Sequence, residues 1–235
     1  MVHLNLLNLK NDLYRIFLKV LSYLYPIRIK TFQSEFSGKL ELTYYDGALV
    51  LDTQKTNYSY GNLQRLLAAG LKQIPEREIN RFTEILILGV AGGSVIETLY
   101  KNHFYTGNID AVDIDPVVLQ IAEDYFNINQ FTKCKLWVAD AAQFVAQSTK
   151  LYDLVLVDLF LDEVIPDFVF TEPFLNQLKK LIATQGYVLF NTIKTKNKDA
   201  GINGMLHAVF GTDYNILVLS HLNPFNTLYL IQKNT

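Results

Sequence analysis

The stretch Ile85-Leu86-Ile87-Leu88-Gly89-Val90-Ala91-Gly92-Gly93-Ser94 decides the fold. An unbroken apolar run marks a strand covered on both faces, as in a parallel sheet. The glycines behind it let the backbone approach a ligand closely, and the helical pattern opening at Ser94 offers free N–H groups. No Lys-Ser or Lys-Thr follows the glycines, so this is not a phosphate-cradling loop. Ala91 stands where a Gly-x-Gly-x-x-Gly turn needs its second glycine, which ranks nicotinamide dinucleotides last among ligands.

From Glu84 onward strand and helix patterns alternate. The strands read as Ile85–Leu88, Ile109–Asp113, Lys135–Val138, Leu154–Asp158 and Tyr187–Asn191, with helices over 93–102, 116–126, 141–148 and 173–183 between them. A last helix over 200–210 leads into Asn215–Ser220 and Thr227–Ile231. The short Asn223-Pro224 link makes those two strands antiparallel. The expected fold is α/β: a doubly wound, mostly parallel, seven-stranded Rossmann-like sheet with an antiparallel last strand.

Upstream, Leu63–Leu71 reads as a helix. Ile27–Thr53 is strand-like, with turns at Ser37-Gly38 and Asp46-Gly47, and forms a small antiparallel β-unit. Leu6, Leu9, Leu13, Phe17, Val20 and Leu24 fall on one side of an N-terminal helix ended at Pro26. Docking of that stripe onto its own body or onto a second copy is the first reading. Attachment to a membrane surface is the alternative, and the polar face has few basic residues for it. The expected organisation is an amphipathic helix at 1–26, a β-hairpin unit at 27–59 and a Rossmann-like domain at 60–235.

Composition narrows the function. The chain has 235 residues, 21 Lys and Arg against 23 Asp and Glu, and 50% hydrophobic residues. Near-neutral charge argues against a nucleic-acid partner, which needs a basic field. The one cysteine, Cys134, excludes an internal disulfide and a Cys-based zinc site, and the four histidines show no metal-ligand spacing. Lys10, Asp12, Arg15 and Lys19 interrupt the N-terminal apolar residues, against a signal peptide or a membrane span. A cytoplasmic protein without a metal is expected.

In open α/β sheets, ligands bind at the carboxyl ends of the strands. Three acids lie there. Asp113 closes the second strand, 24 positions after Gly89, where an acid meets ribose hydroxyls. Asp140 follows the third strand, although it can equally cap the next helix, and Asp158 ends the fourth. Asp115, before Pro116, reads as a helix N-cap.

Ile85–Ser94, Ala111-Val-Asp-Ile-Asp-Pro116, Val138-Ala-Asp-Ala-Ala142 and Tyr152-Asp-Leu-Val-Leu-Val-Asp158 resemble the successive cofactor motifs of the spermidine synthase-like branch of the class I S-adenosylmethionine-dependent methyltransferases. Asp46–Gln54, Tyr58-Ser59-Tyr60 and Glu172–Asn191 resemble further segments of the polyamine aminopropyltransferases. The likeness spans about residues 32–232. It implies a methyltransferase-type sheet and a cofactor that is S-adenosylmethionine or its decarboxylated form. By that resemblance Gly89, Ala91, Gly92 and Gly93 line the adenosyl group and its thioether tail. Asp113 and the neighbouring Ile114 meet the ribose, Asp140 and Ala141 the adenine edge, and Gln54 reaches the nucleoside from the hairpin. Asp158 matches the acid that orients and deprotonates an attacking amine. Tyr60, Leu159, Phe160 and Asp162 fall on the substrate side. Family members commonly pair, so the resemblance allows a homodimer.

The departures bear on the reaction. Aminopropyltransferases carry an acid inside the glycine turn, where this chain has Ala91. Asn57 and Tyr58 replace an acidic pair, Asn62 replaces another acid, and Leu159-Phe160-Leu161-Asp162 replaces Ser-Ser-Asp-Pro. Each desolvated ammonium of a polyamine needs a partner, so these losses weaken a polyamine site. Asp162, Glu163 and Asp167 read as a solvated loop, with a substitute acidic wall as the alternative. Lys194, Lys196 and Lys198 read likewise as a flexible loop rather than an anion site. The expected activity is methyl transfer to a small molecule, with an amine among the candidate acceptors. The alternatives are an aminopropyltransferase and a non-catalytic binding protein.

Overall fold

The computed structural model describes residues 6–53, 57–59, 62–160, 164–194 and 199–234. Helix α1 (Leu6–Leu21) precedes strands β1 (Ile27–Ser34), β2 (Gly38–Tyr45), β3 (Ala48–Thr53) and β4 (Asn57–Ser59). Helices α2 (Asn62–Leu71) and α3 (Glu76–Ile79) follow. The alternating part runs β5 (Glu84–Leu88), α4 (Ser94–Glu97), β6 (Asn108–Asp113), α5 (Pro116–Phe126), β7 (Cys134–Val138), α6 (Ala141–Gln147) and β8 (Tyr152–Val157). It closes with α7 (Glu172–Lys180), β9 (Ile182–Ile193), α8 (Asp199–Phe210), β10 (Tyr214–Leu219) and β11 (Asn226–Lys233).

β1 to β4 form an antiparallel sheet in sequential order. The other seven strands form one sheet in the order β10-β11-β9-β8-β5-β6-β7. All its pairings are parallel except those of β11, as expected for an antiparallel last strand. The chain leaves β5 toward β6 and β7, then returns to the other side of β5 with β8. This reversal opens a crevice at the carboxyl ends of β5 and β8.

The apolar runs follow from two-sided burial. Successive strand residues point to opposite faces. Ile85, Ile87, Ala111, Leu154 and Leu156 pack toward α2, α4 and α5, in a cluster that also takes in Leu40, Leu42 and Leu51 of the small sheet. Leu86, Leu88, Val112, Val155 and Val157 pack toward α6, α7 and α8. The small sheet thus shares its core with the large one.

Three helix ends differ from the sequence reading by three residues or more. Helix α1 stops at Leu21, five residues short of Pro26, because a turn follows in which the Ser22 hydroxyl bonds the Lys19 carbonyl at 2.7 Å. The helix over 93–102 is α-helical only to Glu97 and continues as a π-turn over Thr98–Asn102. There the Thr98 hydroxyl donates to the Ser94 carbonyl at 2.9 Å, in competition with the backbone ladder. The helix expected to reach 183 ends at Lys180, because buried Ile182 pairs with Tyr152 and already begins β9. Among the described residues no helix is long and apolar enough to cross a membrane.

Candidate active site

The turn after β5 is held by its neighbours on both sides. Gly89 N donates to Val112 O at 2.9 Å, and Asp158 N donates to Leu88 O at 2.8 Å, which ties together the ends of β6, β5 and β8. Gly89 has φ +90°, and a Cβ there would collide with the Asp158 carbonyl, so only glycine fits. Ala91 has φ +48°, a left-handed conformation that costs an L-residue about 1 kcal/mol. Gly93 is the N-cap of α4, and Gly92 is buried beside it.

Asp113 is turned into this loop. Its Oδ2 accepts from Val90 N at 2.9 Å and from Ala91 N at 3.3 Å, and its Oδ1 accepts from Asp115 N at 3.0 Å. Burial pushes its pKa up, against the pull of those three N–H groups. The expectation of a carboxylate open to ribose is therefore narrowed. Of about four acceptor directions on a carboxylate, three are spent on the backbone. The acid shapes the turn and leaves one direction for a ligand.

Asp115 is the N-cap expected for α5. It accepts from Val117 N at 2.9 Å and Val118 N at 3.4 Å. Its second oxygen accepts from the Ser34 and Ser37 hydroxyls of the β1–β2 connection, each at 2.6 Å. Asp140 also acts as a cap, its Oδ1 accepting from Gln143 N at 2.8 Å, so the capping alternative holds for that oxygen. Asp140 is half-buried at the carboxyl end of β7, with Ala141 buried beside it. Ile114 and Ala91 are half-buried at the same sheet edge.

Asp158 sits across the reversal from Gly89. Burial raises its pKa to about 6, partly opposed by a hydrogen bond from Asn191 and reinforced by the nearby Asp113 charge. Asn191 Nδ2 donates to Asp158 Oδ1 at 2.8 Å, and Asn226 Nδ2 donates to Asn191 Oδ1 at 3.2 Å, which sets the orientation of the Asn191 amide. Asn191 was missed in the sequence reading. Its signal was available: a polar residue within the apolar run ending β9, one strand from Asp158. Replacing Asn191 with Leu removes the donor that favours the Asp158 carboxylate. The pKa of Asp158 then rises above about 6, seen as an upward-shifted titration of its carboxyl carbon by NMR.

Leu159 and Phe160 are half-buried directly after Asp158, and Leu159 packs on the α6–α8 core. Gln54, Tyr60 and Asp162 lie outside the described residues, as do Glu163, Lys196 and Lys198. Asp167 is exposed at the start of a short 3-10 turn, in keeping with the solvated-loop reading. Lys194 is spent on the Ser220 and Asn223 carbonyls, where it closes the β10–β11 connection.

This strand order, with a glycine turn and an acid facing each other at its reversal, defines the class: a Rossmann-like methyltransferase fold. Human methyltransferase-like protein 13, solved in complex with SAH, superposes with a TM-score of 0.61 at 22% identity, covering 75% of this chain and 83% of that one. The chain belongs to the spermine/spermidine synthase domain family, which matches residues 68–208. A polyamine aminopropyltransferase of Vibrio vulnificus (strain CMCP6) is 33% identical over 157 residues, 66% of this chain and 50% of that protein. A mouse eEF1A lysine and N-terminal methyltransferase is 26% identical over 156 residues, 60% of this chain and 22% of that protein. The chain thus spans half or less of the length of these relatives.

Proposed function

We propose that this chain is an S-adenosylmethionine-dependent transferase that passes a methyl group to a small molecule, with an amine as the nucleophile. The observation that carries the reading is Asp158: an acid with a pKa near 6 at the sheet reversal, directly across from a glycine turn. The names of both relatives point to amine acceptors, polyamine in one and lysine or N-terminal amine in the other.

The residues at the crevice fit an adenosyl cofactor. Gly89 lets the turn pass in contact with the Asp158 backbone, Asp140 and Ala141 stand at the next strand end, and Asp113 retains one acceptor direction. A bound sulfonium supplies electrophilic carbons, so positioning a nucleophile in line is the protein's main task. Asn191 holds Oδ1 of Asp158 and leaves Oδ2 to take the proton of an ammonium acceptor. An acid with a pKa near 6 is ionised at neutral pH and is a stronger base than an ordinary aspartate. Leu159 and Phe160 favour an acceptor with apolar surface over a polycation.

Methyl rather than aminopropyl transfer rests on Ala91, where the resemblance calls for an acid to hold the ammonium of the decarboxylated cofactor. Aminopropyl transfer is the second reading, and the Vibrio relative favours it. Calorimetric titration separates the two. S-adenosylmethionine is expected to bind more tightly than its decarboxylated form, and NAD not at all. Preference for the decarboxylated form decides for aminopropyl transfer. No binding of either leaves a non-catalytic binding protein.

A further inference from the structure

The acid at the sheet reversal is one end of a polar row that crosses three adjacent strands, β8, β9 and β11. Strand residues alternate between faces, and opposed residues of paired strands share a face. Val157 pairs with Phe190 on the face toward α6, α7 and α8. Asp158 and Asn191, one position further along, therefore fall on the other face, that of Leu156 and Leu189. On the far side of β9, Leu228 pairs with Asn191 and Asn226 with Ile193. Asn226 thus lies diagonally from Asn191 on the same face. Two hydrogen bonds run along the row, from Asn226 Nδ2 to Asn191 Oδ1 at 3.2 Å and from Asn191 Nδ2 to Asp158 Oδ1 at 2.8 Å.

An amide has a donor end and an acceptor end of nearly the same shape. Asn191, 2% exposed, has no water to arbitrate between them. Its N–H end favours an ionised Asp158, whereas its carbonyl end would favour the protonated acid. The partner behind Asn191 makes the choice, and that partner is held from outside the site. Asn223 Oδ1 accepts from Phe225 N at 2.7 Å and from Asn226 N at 3.2 Å. Lys194 N donates to Phe225 O at 2.8 Å, and the Lys194 ammonium donates to Asn223 O at 2.6 Å.

We infer that Asn226 is a positioning residue for Asp158: by donating to Asn191 Oδ1 it keeps the N–H end of that amide on the acid, so the β10–β11 connection governs whether the acid is ionised. Its part in group transfer rests on Asp158 being the proton acceptor; its hold on the acid does not. Asp113, at the end of β6, is the charge that acts on Asp158, and the Lys194 ammonium is turned onto loop carbonyls instead.

NMR titration of the Asp158 carboxyl carbon in the full chain, with no cofactor or acceptor added, tests this. The native midpoint is expected near 6. In Asn226→Leu it is expected about one pH unit higher, with unchanged far-UV circular dichroism. Asn226→Gln keeps a donor at the strand's first residue and is expected to titrate with the native chain. Asn226→Asp offers only acceptors and is expected to raise the midpoint at least as far as Leu. In an Asn191→Leu background, where no amide remains to turn, that same Asp substitution is expected to add much less. A native midpoint in Asn226→Leu, a Gln variant that titrates with the Leu variant, or an Asp effect undiminished by Asn191→Leu overturns the inference. The calorimetric comparison of the two adenosyl cofactors can fail while this titration holds, and the reverse.

Discussion

Replacing Asp158 with Asn is expected to lower the transferase rate by at least ~100-fold while making the protein more stable at neutral pH. The rate effect follows from loss of the proton acceptor, since the amide keeps the shape and the Asn191 contact region but has no basic oxygen. In the native protein, kcat/KM is expected to rise with pH through about 6, as the carboxyl ionises. The stability effect has the same origin with the opposite sign. The folded-state pKa of Asp158, about 6, lies above its ordinary value of 3.8. Its contribution to stability is therefore fully present below about pH 4 and is lost as pH rises through 6. A difference of about two pK units corresponds to about 3 kcal/mol. Asn carries no such charge, so near pH 7.5 the variant is expected to melt roughly 5–10 °C higher, and near pH 4 to melt with the native chain. Parallel melting curves at all pH values would show that burial does not hold the Asp158 carboxyl above its ordinary pKa.

Asp115→Ala is expected to have the largest effect on stability. One fully buried carboxylate caps α5 and takes both Ser34 and Ser37 hydroxyls. Losing the cap costs about 1 kcal/mol. Loss of the two 2.6 Å bonds that the Ser34 and Ser37 hydroxyls donate to the carboxylate adds about 1.5–3 kcal/mol each. A loss of about 4 kcal/mol, near 10 °C in Tm, is expected in thermal melts. Removing the serines as well, in a Ser34→Ala/Ser37→Ala/Asp115→Ala chain, should recover part of it, because the hydroxyls that lost the carboxylate are then gone too. The contact also links the small sheet to the candidate site: Asp115 N bonds Asp113, and Asp113 holds Val90 and Ala91 of the glycine turn. A triple variant no more stable than the single one would place the cost in α5 alone.

Much of this arrangement is legible in the residues. The apolar runs at 85–88 and 154–157 announce strands buried on both sides, and the Asp115-Pro116 pair announces a helix start. The Asn223-Pro224 link requires the antiparallel final pair. What proved harder to read was direction. Asp113 carries a signature for binding ribose, yet its short side chain reaches the N–H groups of the loop beside it. The N-terminal stripe is plainly amphipathic, but periodicity reports that a face is apolar without naming what covers it. Asn191 is one polar residue in an apolar strand until Asp158 is known to lie next to it.

The chain's own order of residues determined the α/β class, the strand succession, the glycine turn and the acids at the strand ends, because burial patterns and turn chemistry act over a few neighbours. Tertiary structure alone decided which acid faces the crevice and which is consumed by backbone. It also set the raised pKa of Asp158 and turned the stripe of α1 outward. Those outcomes depend on contacts between residues 22 to 81 positions apart, such as Ser34 with Asp115 or Asp158 with Asn191. Desolvation and hydrogen-bond competition are settled only where such distant segments meet.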